Sequence, residues 1–299
     1  MVNWDEQALR SLLFAPGNHP RRLEKVGTFG SDAIVLDLED AVADAEKDGA
    51  RQMTRDALPT YDERTVVFVR VNSHGTGRME EDIAAIVCPD LDAVMVPKVE
   101  RADTLPRVDA ILWALERERG IEPGTIRVMP IIETAKGLTL AEEIAFAAPA
   151  RTLTLAFGLG DFSTDLQVDL TQDATELLYA RGRIVVAARA AGFRAPIDGP
   201  YLDLQNLEGL ADETRHSRQL GFEGRVVVYP PQVDTVQRVY AELSEEDAEK
   251  AQRIVDAFES AEAGGIASIQ VDGRFVDYPI YDRARQKLRL HRAARGDQA

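Results

Sequence analysis

Residues 34–42 read IVLDLEDAV, a segment that joins the end of an apolar run to a cluster of acids. The first residues are continuously apolar, which is typical of a strand that is buried on both faces. Asp37, Glu39 and Asp40 follow at the point where this run ends. The segment therefore predicts a buried strand of a parallel sheet whose carboxyl end carries several negative charges.

Seven other apolar runs occur along the chain, and helical patterns such as LTLAEEIAFAA (138–148) separate most of them. Eight strands alternating with helices over about 230 residues match the (β/α)8 TIM barrel, an α/β fold, in number and length. The alternative is a doubly wound open sheet, which would more often carry a Gly-rich phosphate turn where this chain has APGNHP. The eight runs are SLLFAP (11–16), AIVLDLE (33–39), TVVFVRVN (65–72), AVMVPKV (93–99), IRVMPIIE (126–133), TLTLAFGLGD (152–161), APIDGPY (195–201) and RVVVYP (225–230).

The C-terminal part of the chain has a different pattern. A charged helix is predicted at 243–265, a hairpin turn at Asp272-Gly273 and a last amphipathic helix at 279–294. We therefore predict two domains. Residues 1–240 form a TIM-barrel catalytic domain, and residues 241–299 form a helical and hairpin extension that acts as a lid or a subunit contact.

Composition excludes several classes of protein. The chain has 299 residues and a formal net charge of −16, which disfavours general binding to nucleic acid or to anionic membranes. No apolar stretch is long enough for a membrane span, and the first residues, MVNWDEQALR, lack the apolar core of a signal peptide. Cys88 is the only cysteine, so disulfides and thiolate metal clusters are excluded. We expect a cytoplasmic protein that binds neither nucleic acid nor membranes.

Charged and polar side chains follow six consecutive strands of the predicted barrel. In this fold the catalytic groups lie at the carboxyl ends of the strands. A rim that only stabilised the barrel would not need so many charges, whereas a site for a divalent cation and an anionic substrate would. The groups, in strand order, are Glu39 and Asp40, Arg70 and Asn72, Lys98 and Glu100, Glu133, Asp161, and Asp198.

Glu133 and Asp161 are the best candidate pair of metal ligands. They follow neighbouring predicted strands, so their carboxylates can reach one cation. Oxygen ligands without cysteine pairs or clustered histidines favour Mg²⁺ over Zn²⁺. Acids that precede helices also serve as helix caps, and the spacing alone leaves both roles open.

Arg70 lies within the strand VVFVRVN, where a guanidinium is costly to bury unless it is paired. One interpretation is a structural ion pair with Glu39 or Asp40. The other is that these acids orient Arg70, whose planar fork then binds a carboxylate or a thioester oxygen. The two interpretations overlap, because an orienting pair also supports a catalytic arginine.

Several ordered motifs carry a resemblance to a known family. They are RSLLFAPGNHPRRLEK, IVLDLEDAV followed by EKDGAR, VRVN, VMVPKVE, PIIET, FGLGD and ARAAGFRAPIDGPYLDLQNLEGL. This set resembles the CitE-like lyases, a group within the HpcH/HpaI aldolase superfamily that includes citrate lyase β subunits, malyl-CoA lyase and citramalyl-CoA lyase. The similarity extends over about residues 11–290.

The resemblance implies a TIM-barrel enzyme that uses Mg²⁺ to cleave or form a carbon–carbon bond beside a thioester. The metal ligands of the family fall on Glu133 and Asp161, and its substrate-binding arginine falls on Arg70. The acidic pair of the LDLED motif falls on Glu39 and Asp40, which would position Arg70 and metal-bound water, whereas Asp37 would have a structural role.

The resemblance also implies residues for CoA and for a subunit contact. Contacts to the CoA phosphates fall on Arg22 and Lys25. An aspartate from a neighbouring subunit completes the site in CoA-dependent members, and the matching position is Asp277, which we expect to move the substrate proton. The expected partners are an acyl-CoA, an oxoacid and further copies of the chain in a trimer or hexamer.

The chain departs from the family pattern at strand 8. GRVVVYPPQ replaces the common GKxxIHPxQ, with Arg225 and Tyr229 at the Lys and His positions, and His19 replaces a common arginine. These differences leave open whether the acyl group is carried by CoA or by an acyl carrier protein. The predicted activity is cleavage of a β-hydroxyacyl-CoA such as malyl-CoA or citramalyl-CoA. Alternatives are a citrate lyase β subunit that acts on a carrier protein, a superfamily aldolase of free hydroxy-oxo acids, and a non-catalytic scaffold subunit.

Overall fold

The structure of the protein, a computed structural model, describes residues 2–241 and 245–295. The chain divides into two compact units, Met1–Tyr240 and Ala241–Ala299. In the first unit eight parallel strands close into a barrel in chain order, which confirms the TIM barrel and excludes the open sheet. The strands are β1 (Ser11–Pro16), β2 (Ala33–Asp37), β3 (Val66–Arg70), β4 (Ala93–Val96), β5 (Arg127–Ile132), β6 (Ala156–Phe157), β7 (Ile197–Asp198) and β8 (Gly224–Val227).

Helices follow the strands and cover the outside of the barrel. The helical pattern predicted at 138–148 forms two short helices that begin earlier than expected. Among residues 2–241 and 245–295, no helix combines the length and apolar character that crossing a bilayer requires. The helices are α1 (Pro20–Val26), α2 (Lys47–Ala57), α3 (Met79–Ile86), α4 (Thr104–Glu118), α5 (Ala135–Thr139), α6 (Ala141–Phe146), α7 (Leu159–Leu166), α8 (Leu178–Ala190), α9 (Leu207–Leu220) and α10 (Gln232–Ala241).

The side chains of each strand point alternately into the barrel and toward the surrounding helices. This alternation decides where the polar side chains at the strand ends point. In β2, Val35 packs inside the barrel, whereas Leu36 packs against the helices. Phe68 of β3 also lies in the inner cluster. Because strand side chains alternate, Asp37 and Arg70, two residues further along each strand, continue the inward series. They are also direct partners in the β2–β3 register, so an acid and a base meet at the barrel end.

Asp198 does not join the rim, and that prediction was wrong. β7 has only two residues, and Ile197 takes the inward position, so the Asp198 side chain points to the helix layer. There it pairs with Arg181 at 3.1 Å and lies 3.6 Å from Arg225, and Glu213 contacts both arginines. These four residues, here called the buried ion network, connect β7 and β8 with α8 and α9.

The second unit has its own small core. Phe258 of α11 (Glu245–Ala263) stacks on Tyr281 of α12 (Tyr278–Arg295), with the ring centroids 4.7 Å apart. The predicted hairpin turn is confirmed, since Asp272 and Gly273 both have positive φ, as a two-residue turn of this type requires. The elements are α11 (Glu245–Ala263), β9 (Ile269–Val271), β10 (Arg274–Val276) and α12 (Tyr278–Arg295).

The buried ion network predicts a large stability effect at Asp198. Asp198→Ala removes a fully buried carboxylate and leaves Arg181 and Arg225 undercompensated, so we expect a loss of about 3–5 kcal/mol in the free energy of unfolding. Urea denaturation measures this. Asp62→Ala, which breaks the exposed pair with Arg64, is the control and should leave the midpoint nearly unchanged. Equal midpoints for the two variants would contradict the prediction.

Candidate active site

A pocket of about 200 Å³ opens at the carboxyl ends of the strands. Its polar lining comes from Asp40, Arg70, Glu133 and Asp161, four of the five strand-end residues predicted for catalysis and metal binding. The structure therefore brings these predicted residues together. Apolar side chains from the barrel interior, among them Met95, Ile131 and Val226, line part of the remainder.

The Arg70 guanidinium is held in a two-pronged ion pair with Asp37. Nε lies 2.7 Å from Asp37 Oδ1, and Nη2 lies 2.6 Å from Oδ2. The buried Asp37 carboxylate also accepts the backbone N–H groups of Glu39 and Ala41. We expected Glu39 or Asp40 as the main partner of Arg70, so the sequence reasoning missed the central role of Asp37.

Glu39 and Asp40 both lie beside two cationic groups, Nη1 of Arg70 and the ammonium of Lys98. Arg70 Nη1 lies 3.0 Å from Glu39 Oε2 and 3.7 Å from Asp40 Oδ2. The Lys98 ammonium donates to Glu39 Oε1 at 2.8 Å and to Asp40 Oδ2 at 3.1 Å. Lys98 thus binds both acids of the pair. The sequence pattern placed Lys98 at a strand end but did not assign it this role.

The two acids respond differently to these surroundings. Burial raises the pKa of Glu39 to about 7, although the charges of Arg70 and Lys98 oppose the shift. Burial would also raise the pKa of Asp40, but the hydrogen bond from Lys98 and the charge of Arg70 outweigh it and lower that pKa. The pKa values of the two neighbouring acids are therefore shifted in opposite directions.

A buried lysine fastens the loop that carries these acids. Lys47 begins α2, and its ammonium donates to the carbonyl oxygens of Leu38 at 2.8 Å and Glu39 at 2.6 Å. The backbone of the LDLED segment is therefore held from one side by Lys47 and from the other by Asp37. In the sequence, only the EKDGAR motif, which contains Lys47, indicated that this lysine has a role.

Glu133 is positioned by neighbouring backbone rather than by a helix cap. Its Oε1 accepts the N–H of Lys98 at 2.8 Å, whereas Thr134 caps α5. Gly158 packs directly against it, since a Cβ there would lie 2.5 Å from Glu133 Cβ and closer still to Oε2. The capping alternative for Glu133 is therefore wrong. Burial, followed by the charges of Glu39 and Asp161, raises the pKa of Glu133 to about 8.

Asp161 lies in the first turn of α7, near the helix N-terminus, and is partly exposed in the pocket. Gly158, not Asp161, is the cap residue of this helix. The expected strand at 152–161 is shorter than predicted because FGLGD turns from β6 into α7. This turn places Asp161 over the same pocket as Glu133.

The donor set fits a hard divalent cation. Glu133 is buried beside other acids, and a cation would stabilise its charged form. In the part of the chain that the structure describes, no three Asp, Glu, His or Cys side chains are grouped to hold a metal by themselves. Two carboxylates with water or substrate at the other positions is a common arrangement for Mg²⁺.

Two predicted residues of the first unit lie outside this pocket. Arg22 and Lys25 are exposed on α1, the helix that follows the carboxyl end of β1. Asp277 belongs to the second unit, where its Oδ1 accepts the N–H of Ile280 at 3.4 Å in the first turn of α12. The roles of these three residues stay predictions.

Comparison with known proteins identifies the family. A family model described as HpcH/HpaI aldolase/citrate lyase matches residues 10–230. The chain belongs to this family. The predicted family and the class of carbon–carbon lyase are thereby confirmed. The citrate lyase subunit beta of Leuconostoc mesenteroides subsp. cremoris is 38% identical over 290 residues, 97% of this chain and 95% of that protein.

Two further relatives carry different names, one a thioesterase and the other a CitE protein. A (3S)-malyl-CoA thioesterase of Cereibacter sphaeroides is 35% identical over 285 residues, 93% of each chain. A crystal structure of the CitE protein of Mycobacterium tuberculosis, in complex with magnesium, acetoacetate and coenzyme A, is 30% identical with a TM-score of 0.77. That alignment covers 96% of this chain and 99% of the CitE chain.

The close contact at Gly158 gives a test of the Glu133 position. Gly158 has a φ of −98°, outside the left-handed region that favours glycine, and the atoms nearest to an added Cβ belong to Glu133, so Gly158→Ala acts mainly by displacing Glu133. We expect Mg²⁺ affinity, measured by isothermal titration calorimetry, to fall by at least about tenfold. The matched control is Gly160→Ala, where a Cβ meets no atom within 4 Å. Unchanged affinity in Gly158→Ala would show that Glu133 does not hold the cation.

Proposed function

We propose that the protein is a Mg²⁺-dependent lyase of β-hydroxyacyl-CoA thioesters such as malyl-CoA or citramalyl-CoA. The products of cleavage are an oxoacid and acetyl-CoA or propionyl-CoA, and the reverse reaction forms the same bond. The observation that carries the proposal is the pocket itself, which brings Arg70, held by Asp37, together with the acids Glu133 and Asp161. The similarity to a CitE protein that binds magnesium, acetoacetate and coenzyme A supports it.

Glu133 and Asp161 are the residues that would hold Mg²⁺. When bound, the ion supplies a Lewis acid and a template for the oxoacid portion of the substrate. Glu133 is suited to this role because backbone groups fix its carboxylate on two sides, at Lys98 and at Gly158. Asp161 contributes its charge from the first turn of a helix, where negative charge is stabilised.

Arg70 would bind the negative charge that develops as the carbon–carbon bond breaks. Its Nε and Nη2 are occupied by Asp37, so the guanidinium is fixed before substrate arrives. The charges of Asp37 and Glu39 outweigh burial and raise the pKa of Arg70, so the group stays cationic throughout. Glu39 and Asp40 complete its orientation from the other side.

Asp277 is the residue that would remove the substrate hydroxyl proton, from a neighbouring copy of the chain. In its own chain it precedes α12, and three apolar residues near it in the sequence are exposed. These are Phe275 (66% exposed), Tyr278 (45%) and Ile280 (36%). Apolar residues clustered beside a polar group are typical of protein contacts, which supports a homo-oligomer, either a trimer or a dimer of trimers.

The CoA portion of the substrate is expected to lie along α1. Arg22 and Lys25 are exposed on this helix and present positive charge on a chain that is otherwise strongly acidic. They would pair with the phosphate groups of CoA.

A second candidate is a citrate lyase β subunit, which acts on a citryl thioester carried by an acyl carrier protein. The 38% identity to a citrate lyase subunit beta favours it. A scaffold role is disfavoured because the buried acids and Arg70 of the pocket would cost stability without any function.

A substrate screen tests the proposal. Malyl-, methylmalyl-, citramalyl- and citryl-CoA are each incubated with enzyme and Mg²⁺, and the thioester products are followed by chromatography. We expect acetyl-CoA or propionyl-CoA to form, EDTA to stop the reaction, and Glu133→Gln to lower kcat/KM by about a thousandfold. The matched control is Glu100→Gln, an acid after β4 that pairs with Lys136.

The other outcomes of the screen assign other activities. Free CoA with intact malate would indicate a thioesterase, and turnover only of a carrier-bound citryl group would indicate the citrate lyase subunit. Turnover that survives EDTA would contradict the Mg²⁺ dependence.

Mixed oligomers test the role of Asp277. Asn caps helices about as well as Asp, so Asp277→Asn removes the carboxylate but keeps the start of α12. We expect Asp277→Asn and Glu133→Gln each to be inactive alone, and subunits reassembled from both to recover part of the activity. Asp282→Ala, an exposed acid of the same helix, is the control and should be active. Confirmed mixed oligomers without activity would exclude catalysis across subunits.

A further inference from the structure

Lys98 contacts the acids of the pocket through two separate groups. Its backbone N–H donates to Glu133 Oε1 at 2.8 Å. Its ammonium donates to Glu39 and Asp40, at 2.8 Å and 3.1 Å. Asp161 Oδ2 lies 3.8 Å from the same nitrogen, beyond hydrogen-bond distance. Lys98 thus divides the four acids into two pairs. Its ammonium hydrogen-bonds to Glu39 and Asp40 but not to Glu133 and Asp161.

The backbone of Lys98 is strained where it makes the first of these contacts. Its φ is +50°, in the left-handed region that a residue with a side chain seldom occupies. Such conformations persist when the surrounding structure requires them, and they are often found at functional sites. A glycine here would relieve the strain but lose the ammonium, so the presence of lysine indicates that the side chain is needed as well.

We infer that Lys98 is a positioning residue that decides which acids of the pocket bind the cation. Its ammonium engages Glu39 and Asp40, while its N–H orients Glu133, so that Glu133 and Asp161 are left as the metal ligands. The inference rests on the proposed Mg²⁺ site.

The number of carboxylates decides the selectivity for the ion. Ca²⁺ takes about six to eight oxygen ligands in a flexible geometry, whereas Mg²⁺ keeps several waters and binds one or two carboxylates. If Glu39 and Asp40 also reached the ion, the pocket would offer four carboxylates and favour Ca²⁺. By engaging two of them, Lys98 keeps the set small and leaves positions for water and substrate.

Calorimetric titration of the full-length protein with MgCl₂ and with CaCl₂ tests the inference. Lys98→Met removes the ammonium but keeps the backbone N–H and most of the apolar stem. Loss of one positive charge strengthens binding of both ions by about tenfold. Release of Glu39 Oε1 and Asp40 Oδ2 from the ammonium strengthens Ca²⁺ binding further, so the ratio of Ca²⁺ to Mg²⁺ affinity rises by at least about another tenfold.

Three other variants define the comparison. Lys98→Arg keeps a cation in reach of Glu39 and should hold the affinity ratio near the wild-type value. Lys136→Met makes the same chemical change in an exposed ion pair with Glu100 and should alter neither affinity. Glu133→Gln should weaken binding of both ions in every case.

The outcomes separate this inference from the proposed function. If the wild-type protein binds no Mg²⁺, or if Glu133→Gln binds it equally well, the proposed metal site is wrong and the inference fails with it. If wild-type binding depends on Glu133 but both affinities change equally in Lys98→Met, only the inference is overturned. The same holds if Lys98→Arg shows the altered ratio, since a cation would then not be what restrains the acids.

Discussion

The ion pair between Asp37 and Arg70 is the constraint on which the site depends. Both residues are the inward-facing ends of their strands, and the β2–β3 register places them opposite each other. Asp37 uses both oxygens for the guanidinium and also accepts two backbone N–H groups from the loop that follows. One carboxylate therefore connects the barrel wall, the Arg70 guanidinium and the segment that carries Glu39.

The alternation of apolar runs and helices was enough to predict the barrel, because strands buried on both faces leave a strong pattern in the sequence. The positions of Glu133 and Asp161 followed from the same reasoning, since strand ends of a barrel converge. Contacts such as those of Lys47 could not be predicted in this way. A lysine in the first turn of a helix is usually exposed, and only the tertiary fold directs its ammonium to the carbonyls of Leu38 and Glu39.

Asp198 shows the limit of a strand-end argument. The run APIDGPY places an acid near a strand end. Because β7 has only two residues, a shift of one position decides whether the acid's side chain points to the pocket or to the helix layer. The inward position belongs to Ile197, and Asp198 instead balances two buried arginines, one of which is Arg225. The unusual arginine of strand 8 is thereby explained by packing against Asp198 and not by contact with the pocket.

The charges around the pocket explain why the site suits a cation. Arg70 and Lys98 are the cationic side chains that contact its acids, and five carboxylates surround them: Asp37, Glu39, Asp40, Glu133 and Asp161. Without further positive charge, the buried acids that are least compensated resist ionisation, which is why the pKa values of Glu39 and Glu133 are raised. A divalent ion beside Glu133 would add positive charge where the acids are least compensated. The same excess of buried carboxylates that makes the pocket costly to fold therefore makes it suited to a cation.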